Sequence, residues 1–236
     1  MRTAILLLLH IRKGKDRLME SDKISFLNNI RKPQNKLSVK KQIIISAGIT
    51  IFGIVLGVVS KYLDCTPVNE LPYLIGRLDF RNFLGRFSIW ILIAVCISIY
   101  SKSAVRAAVN VFVFFTGMVS CYYLYSKFIA GFFPKTYAMI WICFTIISPF
   151  LAYICWYAKG NGKAAMAVSA GIISTLFNTT FTYGLGYFSI RYILELVVFL
   201  LIVFILRRTL KETVIMVIAG VVIGIVADFI SPIHLW

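Results

Sequence analysis

Between Thr136 and Ala158 the chain runs for 23 residues without one Asp, Glu, Lys, Arg or His. A helix needs about 20 apolar residues to cross hydrocarbon, and a core helix of a soluble fold has no use for so long a run. Six further apolar stretches give seven expected spans, near 43–60, 83–101, 105–126, 136–158, 164–184, 189–206 and 213–230. The runs are continuously apolar rather than alternating every second residue, so helices are expected and not a barrel. With 60% hydrophobic and 14% charged residues in 236 positions, polar side chains are too few to clothe a water-facing surface. No connection between the stretches is long enough to fold by itself. The expected fold is therefore all-α: a polytopic membrane bundle over 43–236, preceded by a basic arm over 1–42.

Lys and Arg set the orientation, because short basic loops stay on the cytoplasmic side during insertion. With the N-terminus inside, the segment before Gln42, Lys102 with Arg106, Lys159 with Lys163, and Arg207, Arg208 and Lys211 all face the cytoplasm. That accounts for eighteen of the twenty-five basic residues. An odd number of spans then puts the C-terminus outside, in a cytoplasmic membrane; if the last segment is re-entrant, the tail returns inside.

The arm carries eleven basic residues and three acidic ones, Asp16, Glu20 and Asp22. Attraction to anionic lipid headgroups is one reading, at roughly 1 kcal/mol per basic residue near the surface; obedience to the topology rule is the plainer one. Nucleic acid is not expected as a partner, since no aromatic interleaving or recognition fold accompanies the charge. Ala4 to Leu9 is too short for a secretory signal core and no small-x-small cleavage pattern follows it. Initiation at Met1 or at Met19 serves the membrane reading equally.

Catalytic and metal chemistry find little to work with. Cys65, Cys96, Cys121, Cys143 and Cys155 are scattered and odd in number, without ligand spacing. His10 and His234 fall on opposite faces of the membrane in this topology, which removes shared metal sites and His-based nucleophile schemes. No zinc-protease, phosphate-loop or nucleophile-elbow motif is present. No enzyme is indicated and no cofactor or metal is expected. A retinal pigment is excluded too, because neither late span carries a deep lysine.

What remains is polarity at membrane depth, where an ionised group normally faces a bundle interior or a water-filled cavity. Glu195 is expected about six residues inside the outer end of the sixth span, roughly 9 Å deep. Arg191 would then sit one turn above as its i,i+4 partner. Arg86 enters the second span from the same side, Asp228 closes the seventh at a similar level, and Asn178 adds hydrogen-bonding groups nearby. Lys61 and Asp64 end the first span. Together these suggest an outward-facing polar vestibule, set against the plainer reading that the arginines snorkel and Glu195 ties helices together.

Gly53 with Gly57 and Gly220 with Gly224 have the four-residue spacing that lets another backbone approach one face of a helix. Pro149 removes a backbone donor from the fourth span and is expected to kink it, as a hinge or as a packing adaptation. Tyr122, Tyr123, Tyr125, Phe132, Phe133, Tyr183 and Tyr187 gather at expected outer boundaries as an interfacial belt. The loop from Lys61 to Asn82 is the expected external contact surface. Two functions survive: a small permease or transporter-like protein built on Glu195, and a non-transporting membrane subunit that binds protein or lipid partners.

Overall fold

The computed structural model describes residues 25–34 and 37–230. His10, His234, both candidate initiators and most of the basic arm lie outside the described residues.

Four helices are long and apolar enough to cross a membrane: α1 (Val39–Cys65), α5 (Ala104–Phe128), α6 (Lys135–Trp156, continued by a 3-10 turn to Lys159) and α9 (Leu210–Ile230). Between them lie α2 (Tyr73–Arg77), α3 (Phe80–Gly85), α4 (Phe87–Tyr100), α7 (Gly162–Thr180) and α8 (Ile193–Leu206). Each of the seven expected stretches thus contains a helix, but α4 and α8 have only 14 residues each. At 1.5 Å per residue that is about 21 Å, short of a hydrocarbon core of about 30 Å.

Local chemistry explains most boundaries. Ser38 caps α1, its Oγ accepting from Lys41 N at 3.4 Å. The helix stops at Thr66, which is held extended ahead of Pro67. Ser103 caps α5 in the same way. Thr209 caps α9, its Oγ accepting from Glu212 N at 3.4 Å and donating to the Glu212 carboxylate at 3.0 Å. Pro149 lies inside α6 and cannot donate to the Thr145 carbonyl. Ser148 Oγ donates to that carbonyl instead, at 2.8 Å, and the helix continues.

Three expected spans are not continuous helices. The second breaks at Arg86, whose backbone is extended between α3 and α4. The chain from Phe181 to Ile190 is an antiparallel hairpin (β1 Phe181–Gly184, β2 Tyr187–Ile190), closed through Gly186 at φ 85°. This hairpin takes residues assigned to the ends of the fifth and sixth spans; Thr, Tyr and Phe at these positions suit an extended strand as well as an apolar helix.

The helices α1, α4, α5, α6, α7, α8 and α9 alternate in direction, so that α1 runs parallel to α5 and α7 to α9, and the bundle has two ends. The basic end collects the α4–α5, α6–α7 and α8–α9 turns together with residues 25–34; the hairpin end collects the hairpin, the 66–86 connection and the α5–α6 turn. Trp90, Phe114, Phe115, Ile173, Leu176 and Ile202 are buried at the centre, contributed by α4, α5, α7 and α8. α1 packs on α5 and α9 on α7. The outer surface is apolar in turn: Phe150 is 70% exposed and Phe229 89%.

Glycine faces make both outer contacts. A Cβ at Gly53 would collide with the Phe114 carbonyl oxygen and one at Gly57 with that of Met118, while Gly117 of α5 lies against the Thr50 carbonyl. On the other flank, a Cβ at Gly220 would stand 2.9 Å from the Ala170 carbonyl oxygen, and one at Gly224 2.9 Å from Asn178 Oδ1.

Part of the expected arm is joined to the bundle. Arg31 donates to the Ile99 carbonyl at 2.8 Å and the Trp156 carbonyl at 2.5 Å, with its guanidinium 4.3 Å from the Trp156 ring. It thereby satisfies last-turn carbonyls of two helices at once. Asn161 N donates to the Ile30 carbonyl at 2.7 Å, fastening the same segment to the α6–α7 turn.

Candidate polar site at the hairpin end

The break in the second span places Arg86 where its side chain reaches across to α8. Arg86 Nε donates to Glu195 Oε1, and Nη1 lies 3.4 Å from Asp79 Oδ2. The guanidinium stacks 3.9 Å over the Tyr192 ring. Glu195 is 1% exposed and Arg86 22%, so the pair is sealed on the carboxylate side and open on the other. Glu195 also occupies the first turn of α8, where the helix dipole favours an anion. Its second oxygen, Oε2, is buried without a hydrogen-bond partner. Ser88 Oγ, in the first turn of α4, is likewise buried and unpartnered.

Asp79 adopts the left-handed conformation at φ 53°, which Asp tolerates better than most residues. It begins α3, receives Asn82 Nδ2 at 2.7 Å and turns its other oxygen to Arg86.

Two expectations about Glu195 are corrected. It is not six residues inside a helix, because residues 187–190 are strand and α8 begins only at Ile193. Arg191 is not one helical turn above it. The arginine follows β2, its backbone N–H donating to the Thr180 carbonyl at 2.8 Å, and its Nε is buried without a partner. The carboxylate pairs with Arg86 from a distant part of the chain instead.

The remaining polar residues form a second group. Asn178 Nδ2 donates to the Gly224 carbonyl at 3.0 Å, tying α7 to α9, and Tyr183 Oη lies 3.0 Å from Asn178 Oδ1. Asp228 also hydrogen-bonds with Tyr183. Thr180 links Arg191 to Glu195: it is fully buried, its Oγ donates to the Glu195 carbonyl at 3.2 Å, and its own carbonyl receives the Arg191 N–H. The five expected residues therefore share one end of the bundle, with Arg86 and Glu195 in one constellation and Asn178 and Asp228 in the other.

Lys61 and Asp64 make a third pair at this end, Nζ to Oδ2 at 2.6 Å. Lys61 is 1% exposed and faces the rings of Phe132 at 4.4 Å and Tyr122 at 5.0 Å. Pro149 belongs to none of these groups; its neighbour Ser148 lines an apolar cavity of about 340 Å³ bounded by α4, α5, α6 and α7. All five cysteines are free, and among the described residues no group of His, Cys, Asp and Glu has a metal-binding arrangement.

Asp79, Tyr192, Tyr183 and Thr180 were not legible as site residues. The tyrosines carry the same signal as any interfacial aromatic, and Asp79 is one of several charges in a loop; only the left-handed turn and the helix break aim it at Arg86.

The family of unknown function DUF6518 matches residues 79–231, about two thirds of the chain, and the chain belongs to that family. The match opens at Asp79 and takes in Arg86, Asn178, Tyr183, Arg191, Glu195 and Asp228, leaving α1 and Lys61 outside it. No curated protein and no solved structure matches the chain.

Proposed function

We propose that this member of the family is a seven-span protein of the cytoplasmic membrane, basic end inside, acting as a small permease whose outward-facing polar site is the Arg86–Glu195 pair. The four long apolar helices and the exposed apolar outer surface support a hydrocarbon surrounding, since such a surface in water would drive association. In this reading α3 and the hairpin extend the crossings of α4 and α8 at the outer edge of the membrane, where the exposed strands meet headgroups and water rather than hydrocarbon. The basic turns support the orientation.

One observation carries the permease reading: the buried carboxylate of Glu195 keeps one oxygen unused while its other oxygen is held by a partly exposed arginine. Buried polar atoms are nearly always partnered, so an unsatisfied carboxylate oxygen beside a helix break suits a group that exchanges partners. A small cationic or hydrogen-bond-donating solute arriving from the hairpin end would compete with Arg86 for Glu195.

The test is solute-induced current on solid-supported membranes carrying reconstituted protein, screened against small amines and amino acids. Glu195→Gln is expected to reduce the response at least tenfold while the protein stays monodisperse in detergent; an unchanged response overturns the reading. If the wild-type protein gives no current with any of these solutes, the non-transporting subunit is the better account, and the exposed Leu185, Tyr187 and Phe188 of the hairpin are the surface that favours it.

A further inference from the structure

The basic end holds a second site with a different chemistry. A cavity of about 570 Å³ lies between the start of α1, the end of α4, the α4–α5 turn and the start of α5. That volume is within the roughly 300–1,000 Å³ of small-molecule sites. Its lining is split by polarity: Lys102, Arg106 and Asn110 bring charge and hydrogen bonds, while Ile45, Ile49 and Ile97 make an apolar wall.

Arg106 is held in place by neutral groups alone. Its Nη2 donates to the Gln42 carbonyl at 3.0 Å, to Ser46 Oγ at 2.5 Å and to Asn110 Oδ1 at 3.1 Å. Asn110, itself buried, is fixed in turn by Ser46 and Ser101. All three contacts use the same nitrogen, and among the described residues Nη1 and Nε make no hydrogen bond and no carboxylate pairs with the guanidinium. Lys102 reaches only the Gln34 side chain, at 2.6 Å. Two cations thus face one cavity that has no acidic residue in its lining. An arginine immobilised through one nitrogen, with its remaining donors unused, is preorganised for an oxyanion.

We propose that this cavity binds the phosphate headgroup of an anionic phospholipid from the adjoining leaflet, Arg106 and Lys102 taking the phosphate and the isoleucine wall the upper acyl chain. The apolar wall selects a lipid over free phosphate: Ile45 is 43% exposed and opens the wall sideways, toward the surrounding medium. The proposal rests on the membrane reading but not on transport.

Native mass spectrometry of the full chain, released from nanodiscs of equal phosphatidylglycerol and phosphatidylcholine, tests it. The wild-type protein is expected to retain phosphatidylglycerol preferentially. Arg106→Gln and Lys102→Gln should each lower that retention about fivefold, the effect of one surface charge, with Arg106→Lys keeping most of it. Because Arg106 also joins α1 to α5, Lys102→Gln is the variant that separates binding from folding; its side chain is exposed and bonds only to Gln34. Equal retention of the two lipids by the wild-type protein overturns the proposal, as does undiminished phosphatidylglycerol in Lys102→Gln. Displacement of the lipid by 10 mM inorganic phosphate would also overturn it, by showing a free-anion site. None of these results moves the Glu195 current, so the two readings fail separately.

Discussion

Lys61 shows how far a residue's role depends on what surrounds it. From the sequence it is one of two charges, with Asp64, that end the first span; in the fold it is sealed under Tyr122 and Phe132 with Asp64 as its ion partner. Removing one member of a buried pair strands the other, at a cost of about 3–5 kcal/mol when both are enclosed. Asp64 is 45% exposed and the rings offset part of the loss, so Asp64→Ala is expected to cost about 2 kcal/mol. Lys61→Met, which removes the buried charge itself, is expected to cost less than about 1 kcal/mol. Thermal unfolding in detergent orders the two variants; an equal or reversed order would mean that Asp64 does not compensate Lys61. Glu195 follows the same logic. Its place as a buried polar residue was legible, because an acidic residue in an apolar run stands out, but its partner was not. Arg191, four residues away, is the natural choice on a continuous helix, and only the hairpin shows that no such helix exists.

At the scale of elements, the glycine spacings were readable and the breaks were not. Gly53, Gly57, Gly220 and Gly224 all lie where a neighbouring helix comes close, in agreement with the physics of four-residue spacing. Gly57→Ala is expected to destabilise the bundle by about 1–3 kcal/mol, since the new methyl meets a backbone carbonyl of α5 that cannot move aside. Gly48→Ala, on the same helix with nothing within 4 Å, is expected to be neutral or slightly stabilising through helix propensity. Thermal midpoints of the two variants check this, and equal midpoints would refute a close α1–α5 contact. Pro149 announces a disturbance in any helix, yet the remedy, Ser148 donating to Thr145, is a matter of rotamer and local geometry. The interruption at Arg86 has no comparable signal, because Gly85 is the one residue there that disfavours a helix.

At the scale of the whole molecule, the two ends differ in chemistry and every long helix passes between them. If the basic end is cytoplasmic, Cys65, exposed at the end of α1, faces outward. A membrane-impermeant maleimide added to intact cells is then expected to label Cys65, with labelling lost in Cys65→Ser; labelling of that position only after lysis would invert the orientation. What the sequence by itself determined is whatever depends on composition along one dimension: where the apolar stretches lie, that they are helical, which turns are basic, and which helices can approach closely through glycine. Hydrophobic burial and backbone satisfaction act locally, so a run of residues states them directly. Tertiary structure alone decided the pairing of Arg86 with Glu195, the burial of Lys61, the docking of Arg31 on two helix ends and the cavity around Arg106. Each of these joins residues distant in the chain, and their proximity follows from helix packing and from two breaks that local preferences leave undetermined.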